Sequence, residues 1–160
     1  MAIYFTMGEG LGKVLFEWWR RLAEDRASRA VLRRASSLTE VALTPPYQRL
    51  CRRLGASSWK HWERDRFALV VGVLAHVKTH DERLPAEAMS KHQPGEDRPP
   101  VSELRFLRLL ESPDPDALFS GVRRVLPLMG SVDVIVLAND LMHWGDEVKK
   151  KWAYGYDWPE

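Results

Sequence analysis

The sequence predicts an all-α protein, a compact bundle of about eight helices. Three observations carry that reading. Residues 67–77 are apolar at every position except His76, and a run with no polar face is either a buried strand or a helix covered on all sides. Elsewhere apolar residues recur at helical spacing, as in Leu11, Val14, Leu15, Trp18, Trp19 and Leu22. The punctuation between such runs is that of helices: Thr44-Pro45-Pro46 and Asp114-Pro115 place a capping side chain before a proline at the first helical position, and Gly55 and Gly130 stand where helices stop.

Taken in order, residues 1–12 are weakly specified, and Met7 is an alternative start. A first helix covers 11–25, with Lys13, Glu17, Arg20, Arg21 and Glu24 outward. A second, 28–35, follows almost at once; at about 100° per residue, Arg26, Arg29, Arg33 and Arg34 fall in one arc while Val31, Leu32 and Ala35 face away. Thr44 caps a third, ending before Gly55, with Arg49, Arg52 and Arg53 on one face and Tyr47, Leu50, Cys51 and Leu54 on the other.

Ser57 or Ser58 then caps the central rod, 62–80. Its length exceeds the roughly ten residues of a long strand and falls short of the roughly 20 apolar residues a bilayer span needs. Gly72 in its middle costs about 1 kcal/mol of helix propensity and admits a close neighbour. Prolines and Gly95 make 84–100 a short helix followed by a loop, 93–100, carrying Asp97 and Arg98. Ser102 caps a helix over 103–111, with Leu104, Leu107 and Leu110 inward and Arg105 and Arg108 outward. Helices over 115–130, 133–144 and 147–156 complete the chain. The whole reads as one domain, 1–160, in which the break at 84–100 separates two candidate lobes, 11–83 and 101–158.

Charge is nearly balanced overall, with 24 Lys and Arg against 22 Asp and Glu, but not along the chain. Between Arg26 and Arg53 there are seven arginines and one acid, Glu40; acids outnumber bases between Glu111 and Asp140. The single cysteine, Cys51, excludes an internal disulfide and a cysteine-based zinc site. Residues 2–7 are too short, and lack the basic flank, for a signal peptide. The expectation is a soluble cytoplasmic protein with no membrane partner.

Enzyme motifs fail on detail. Gly8-Glu9-Gly10-Leu11-Gly12-Lys13 imitates a phosphate loop, but Met7 stands where its first glycine belongs and Val14 where its Ser or Thr belongs; a flexible N-terminus is the simpler reading. His76 and His80 share a helical face at i, i+4, a metal-binding spacing, without a third ligand. Asp140 and His143 form an i, i+3 pair without a nucleophile, and no serine sits in a nucleophile elbow. The expectation is no catalytic residue, no metal and no cofactor.

The arginine faces are what is left. Solvated helix faces mix both signs, as the first helix does; the faces at Arg26/Arg29/Arg33/Arg34 and Arg49/Arg52/Arg53 do not. Such faces suit phosphate oxygens, because guanidinium offers a planar fork of donors. Docking of an acidic protein surface is the alternative. The tail, Lys149-Lys150-Lys151-Trp152-Ala153-Tyr154-Gly155-Tyr156, either stacks bases or docks onto the core or a partner.

Several segments in order resemble one family, over about 17–156: Arg29-Ala30-Val31-Leu32-Arg33-Arg34-Ala35; Pro46-Tyr47 with Arg49-Leu50; Arg66-Phe67-Ala68-Leu69-Val70 leading to Gly72 and Ala75-His76; and Val101-Ser102-Glu103-Leu104-Arg105-Phe106-Leu107-Arg108-Leu109-Leu110. Leu137-Ala138, Asp140-Leu141 and Trp144-Gly145-Asp146, with Val148-Lys149, extend it. The chain resembles the CasB family, the small subunit of the type I-E CRISPR interference complex Cascade. The resemblance implies an all-helical, non-catalytic protein that packs head to tail with a second copy against the Cascade backbone and large subunits. Its implied ligands are guide RNA and target DNA, including the displaced strand. Carried over by position, Arg33, Arg34, Arg49, Arg66, Lys78, Arg105 and Arg108 are phosphate-binding candidates. The reading of the faces and loop adds Arg52, Arg53 and Arg98, and Lys149 and Lys150 join from the tail. Leu104 departs from relatives with a basic residue there, so that position is neutral in this chain.

Overall fold

The computed structural model describes residues 2–160. Ten α-helices follow one another: α1 Gly10–Leu22, α2 Arg26–Arg34, α3 Leu38–Ala42, α4 Pro45–Arg53, α5 His61–Leu74, α6 Pro85–Ser90, α7 Glu103–Leu110, α8 Pro115–Met129, α9 Val134–Met142 and α10 Asp146–Gly155. Eight of them span seven or more residues, in line with the expected count. The short ones are α3 and α6. Only α3 went unread in the sequence: five residues are too few to show a period, and the cap that Ser37 provides to the Glu40 amide was its one signal. Among the described residues there is no strand, only the isolated bridges Thr6–Glu9 and His80–Val132.

The bundle is built around α5. Phe67 to Leu74 are all buried, and α3, α8 and α9 pack against the helix. Gly72 is where two of these come closest. A Cβ there would stand 2.8 Å from Phe119 Cε1 on α8 and 3.0 Å from Val41 Cγ2 on α3.

The rod is shorter than its apolar run. Ala75 caps it, and the next amides bond three residues back, His76 to Val73 and Val77 to Leu74, the tightening of a finished helix. The chain then leaves the axis because tertiary partners claim its backbone. Trp19 Nε1 donates to the Val77 carbonyl at 3.1 Å, and the Asp81 amide donates to Val132. His76 and His80 therefore do not share a helical face. At the other end the N-cap is Lys60, not a serine; Ser57 and Ser58 lie in a 3-10 turn, and Glu63 reaches back to accept from the Lys60 amide at 2.8 Å.

The other caps stand where the sequence put them. Thr44, Ser102 and Asp114 accept from the amides of Tyr47, Arg105 and Ala117, and Gly55 follows α4 at φ 67°, a conformation that favours glycine. Asp133, read from the sequence as the first residue of its helix, is instead the N-cap of α9 and accepts from the Val136 amide.

Two further expectations are corrected. The N-terminus is not a flexible tail. Phe5 is buried, and both its amide and its carbonyl bond the Asn139 side chain at 2.8 Å. Gly12 lies so close to the Thr6 backbone that any Cβ would overlap its carbonyl. On α7 the buried residues are Phe106 and Leu109, and Leu110 packs partly buried against the core as expected, while Leu104 and Leu107 are 57% and 37% exposed. Leu109 fills the space over Gly121 of α8, and Phe106 stacks on Tyr156 at 4.2 Å, so these contacts set the rotation of the helix.

The C-terminal tail docks onto the core. Trp152 is buried and donates through Nε1 to Asp140 at 2.8 Å, Lys151 pairs with the same carboxylate, and Tyr156 donates its hydroxyl to the Val101 carbonyl. Tyr154 alone of its aromatics stays largely exposed, at 90%. No helix among the described residues is long and apolar enough to cross a membrane.

Candidate nucleic-acid interface

Helix α2 brings its arginines against the end of α5. Its amphipathic period buries Leu32 and Ser28, and Asp25 caps it by accepting from Ser28. That leaves Arg29 and Arg33, one turn apart, facing the junction of α1 with the segment after α5. There Arg20, Arg29, Arg33 and Lys78 line one cleft. Arg33 Nε donates to the Ala75 carbonyl at 2.8 Å, and Arg29 Nη1 donates to the Ala23 carbonyl at 3.1 Å. Burial, with the Arg29 charge adding to it, lowers the Arg33 pKa. Both effects record a cation held in place without an acid to offset it.

A second cleft runs between α7 and α8, where Arg105, Arg108 and Arg124 converge over Leu109 and Val125. A third lies beside the first: Leu22 lines both, and this one is bordered by Arg21, Arg49 and Arg53, with Asp25 across from them. Arg52 borders a mixed cleft with Arg64 and Asp65.

Among the described residues the ion pairs are Arg83–Asp81, Lys150–Glu147 and Lys151–Asp140. None involves an arginine of α2, α4 or α7, although the Asp25 pKa is lowered by its hydrogen bonds from Ser28 and, to a smaller extent, by the nearby Arg49 charge. An outside anion would relieve the repulsion between neighbours.

The remaining candidates are dispersed. Arg34 and Arg98 are exposed and line none of these three clefts. Arg66 is half-buried; its Nη1 donates to the Trp144 carbonyl at 3.0 Å, and burial lowers its pKa. It holds α5 to the chain after α9. Lys149 is half-buried on α10, and Lys150 is exposed with Glu147 at 2.8 Å.

Arg20, Arg21, Arg29 and Arg124 join the clefts without having been singled out as binders. Arg29 was visible, one turn before Arg33 on an acid-free arc. Arg20 and Arg21 were masked by Glu17 within α1 and Glu24 just after it, and Arg124 gives no signal until α8 is packed against α7.

The motifs set aside as decoys are not assembled into sites. His80 Nδ1 accepts from the Val134 amide at 3.0 Å. His76 Nε2 is buried without a partner, and burial, with the charges of Arg123 and Arg33, takes the ring pKa down to about 4. His143 meets the Ile3 carbonyl, so it does not pair with Asp140. Among the described residues no three His, Cys, Asp or Glu side chains come together.

A profile of the family described as CRISPR-associated protein Cse2 matches residues 28–156. The chain belongs to the Cse2 family. Solved structures similar to this Cse2-family chain include CasB from Thermus thermophilus, at 27% identity over 91% of this chain and 96% of that one with a TM-score of 0.68. A second is a CRISPR-associated protein of the Cse2 family, also from Thermus thermophilus, at 28% identity, 91% and 96% coverage and a TM-score of 0.67. A third is a chain in E. coli Cascade bound to a PAM-containing double-stranded DNA target; it shares the fold at 21% identity, 88% and 92% coverage and a TM-score of 0.69. No curated protein matches. The matched family segment includes α2 from residue 28 onward and all of α4, α7 and α8, the helices that carry most of the arginine-lined clefts.

Proposed function

We propose that this protein is a non-catalytic small subunit of a type I-E Cascade assembly. In that role it binds the sugar-phosphate backbone of guide RNA, target strand and displaced strand without reading sequence. The observation that carries this reading is the convergence of Arg20, Arg29, Arg33 and Lys78 on one cleft with no carboxylate lining it. The E. coli relative belongs to a complex bound to target DNA, which supports the same direction. Its partners are the Cascade backbone and large subunits and a second copy of the chain.

The mechanism is electrostatic. Pairing with the guide reads the sequence; exchange of a DNA duplex for an RNA–DNA heteroduplex is nearly balanced, so added backbone contacts tip it toward the open form. Phosphates carry no sequence information directly, so affinity is indifferent to base order. If about four to six phosphates are engaged, log affinity falls with log salt at a slope of roughly −3 to −5.

The test is a titration of single-stranded DNA of mixed sequence at two salt concentrations, with the intact chain and with Arg20→Ala/Lys78→Ala. Among the described residues neither side chain has a hydrogen-bond partner or a salt bridge, and Arg20 is exposed. The double variant is expected to bind more weakly and to show a flatter slope. Equal affinity and equal slope would remove this cleft from the interface.

A further inference from the structure

The cleft that gathers Arg20, Arg29, Arg33 and Lys78 is not cationic throughout. Its inner wall is apolar: Trp19, Leu22, Ala23, Ala75 and Val77 line it between the charged tips. Leu22, Ala75 and Val77 are buried core residues whose outer edges floor the cleft. Trp19 is held there by its Nε1 bond to Val77 and by its packing against Phe16 and His80. The cleft is open to solvent on one side, and its volume is about 580 Å³, within the range of small-molecule sites, roughly 300–1,000 Å³.

A purely electrostatic track for a strand has no use for this wall. Extended phosphodiester needs donors at its edge, not an apolar recess behind them. The combination of a recess walled by an indole and aliphatic carbons, with guanidinium and ammonium groups at its mouth, matches a nucleotide: an apolar base face inside and a phosphate outside. Acidic protein segments fit less well, because their side chains bring no flat apolar body to fill the recess.

We propose that this cleft takes one unpaired nucleotide, seating its base against the Trp19, Leu22 and Val77 wall and its phosphate among Arg20, Arg29 and Lys78. This rests on the backbone-binding reading above and adds to it a base-dependent, though sequence-tolerant, contribution. Stacking on an aromatic side chain favours every base, since each has a π-face.

The test compares two labelled single strands of equal length and equal phosphate count, one of ordinary nucleotides and one of abasic sugars throughout, each titrated with the full chain. The ordinary strand is expected to bind at least about fivefold more tightly, the lower end of what one stacked base supplies. Ala23→Leu fills the recess from an exposed position with ordinary helical backbone angles, so the fold tolerates it. It is expected to bring the ratio of the two affinities close to one while leaving the salt slope unchanged. Trp19→Leu should do the same, and Tyr154→Ala, at the most exposed aromatic, should not.

Equal affinity of the two strands for the unaltered chain would overturn the nucleotide site and leave the phosphate reading standing. A base preference that survives Ala23→Leu would overturn the placement. Failure of both strands to bind would overturn the phosphate reading itself.

Discussion

Arg33 Nε donates to the carbonyl of Ala75, the residue that caps α5, at 2.8 Å. One side chain of the cationic face thus also ties α2 to the end of the central helix. Its two roles separate by substitution. Arg33→Ala is expected to lower stability by about 1–2 kcal/mol, the worth of a charge-assisted bond, and to weaken binding of single-stranded DNA. Arg33→Lys retains the charge and the salt slope but loses the fixed donor, so it should show the stability loss with little change in slope. Arg34→Ala, at an exposed position, should leave stability within about 0.5 kcal/mol. Urea unfolding and a salt titration on the three variants decide this; an unchanged midpoint in Arg33→Ala rejects the tie.

Gly72 sets the spacing of α8 and α3 from α5. Gly72→Ala gains about 1 kcal/mol of helix propensity but drives a methyl into the buried Phe119 ring and Val41; overpacking of that kind costs about 1–3 kcal/mol. The expected net effect is destabilisation of up to about 2 kcal/mol, and a larger loss for Gly72→Val. A raised thermal midpoint in Gly72→Ala would show that the helices can move apart freely there.

Asn139 holds the N-terminal segment through two bonds to Phe5. Asn139→Ala removes both, at about 0.5–1.5 kcal/mol each. Residues before Gly10 should become sensitive to limited proteolysis and their amides should exchange faster, while α5 and α8 keep their protection. A digestion pattern unchanged from that of the unaltered chain would mean that the burial of Phe5 alone anchors the segment.

His76 makes stability depend on mildly acid pH. Burial and the charges of Arg123 and Arg33 hold its folded pKa near 4, below the unfolded value of about 6.5. Between these values the unfolded chain binds more protons, so stability rises with pH there. The contribution is full above about 6.5 and falls away as the pH drops toward 4. The ring is only partly buried, so solvent screening keeps the effect to the order of 1 kcal/mol. Asp25, Glu40 and Asp81, whose pKa values are lowered from the ordinary carboxylate range, lose their contribution mainly below this window, with Glu40 overlapping its acid end. Replacing His76 with Gln should flatten the stability profile between pH 4 and 6.5; an unchanged slope there would assign the dependence to other groups.

Wherever local chemistry decides, the primary structure by itself was enough. A capping oxygen before a proline or an apolar turn marks a helix start from its neighbours alone, hence Thr44, Ser102 and Asp114; Ser57 and Ser58, followed by neither, do not cap α5. A long apolar run must be buried, hence α5 at the centre, and the gap left by Gly72 had to be filled by a neighbour. The acid-free arginine faces were equally legible, because charge composition is a property of the chain. Only the tertiary structure decided where α5 stops, which face of α7 turns inward and that residues 3–9 are docked. Each of those depends on a partner far away in sequence: Trp19 and Val132 for the chain after α5, Gly121 and Tyr156 for α7, Asn139 for Phe5. The same holds for the cleft. Arg20 sits on a helix of mixed charge, and Lys78 lies beyond the end of the rod. They stand beside Arg29 and Arg33 only because packing brings α1 and the extended segment after α5 against α2, and no local pattern encodes a distance across three elements.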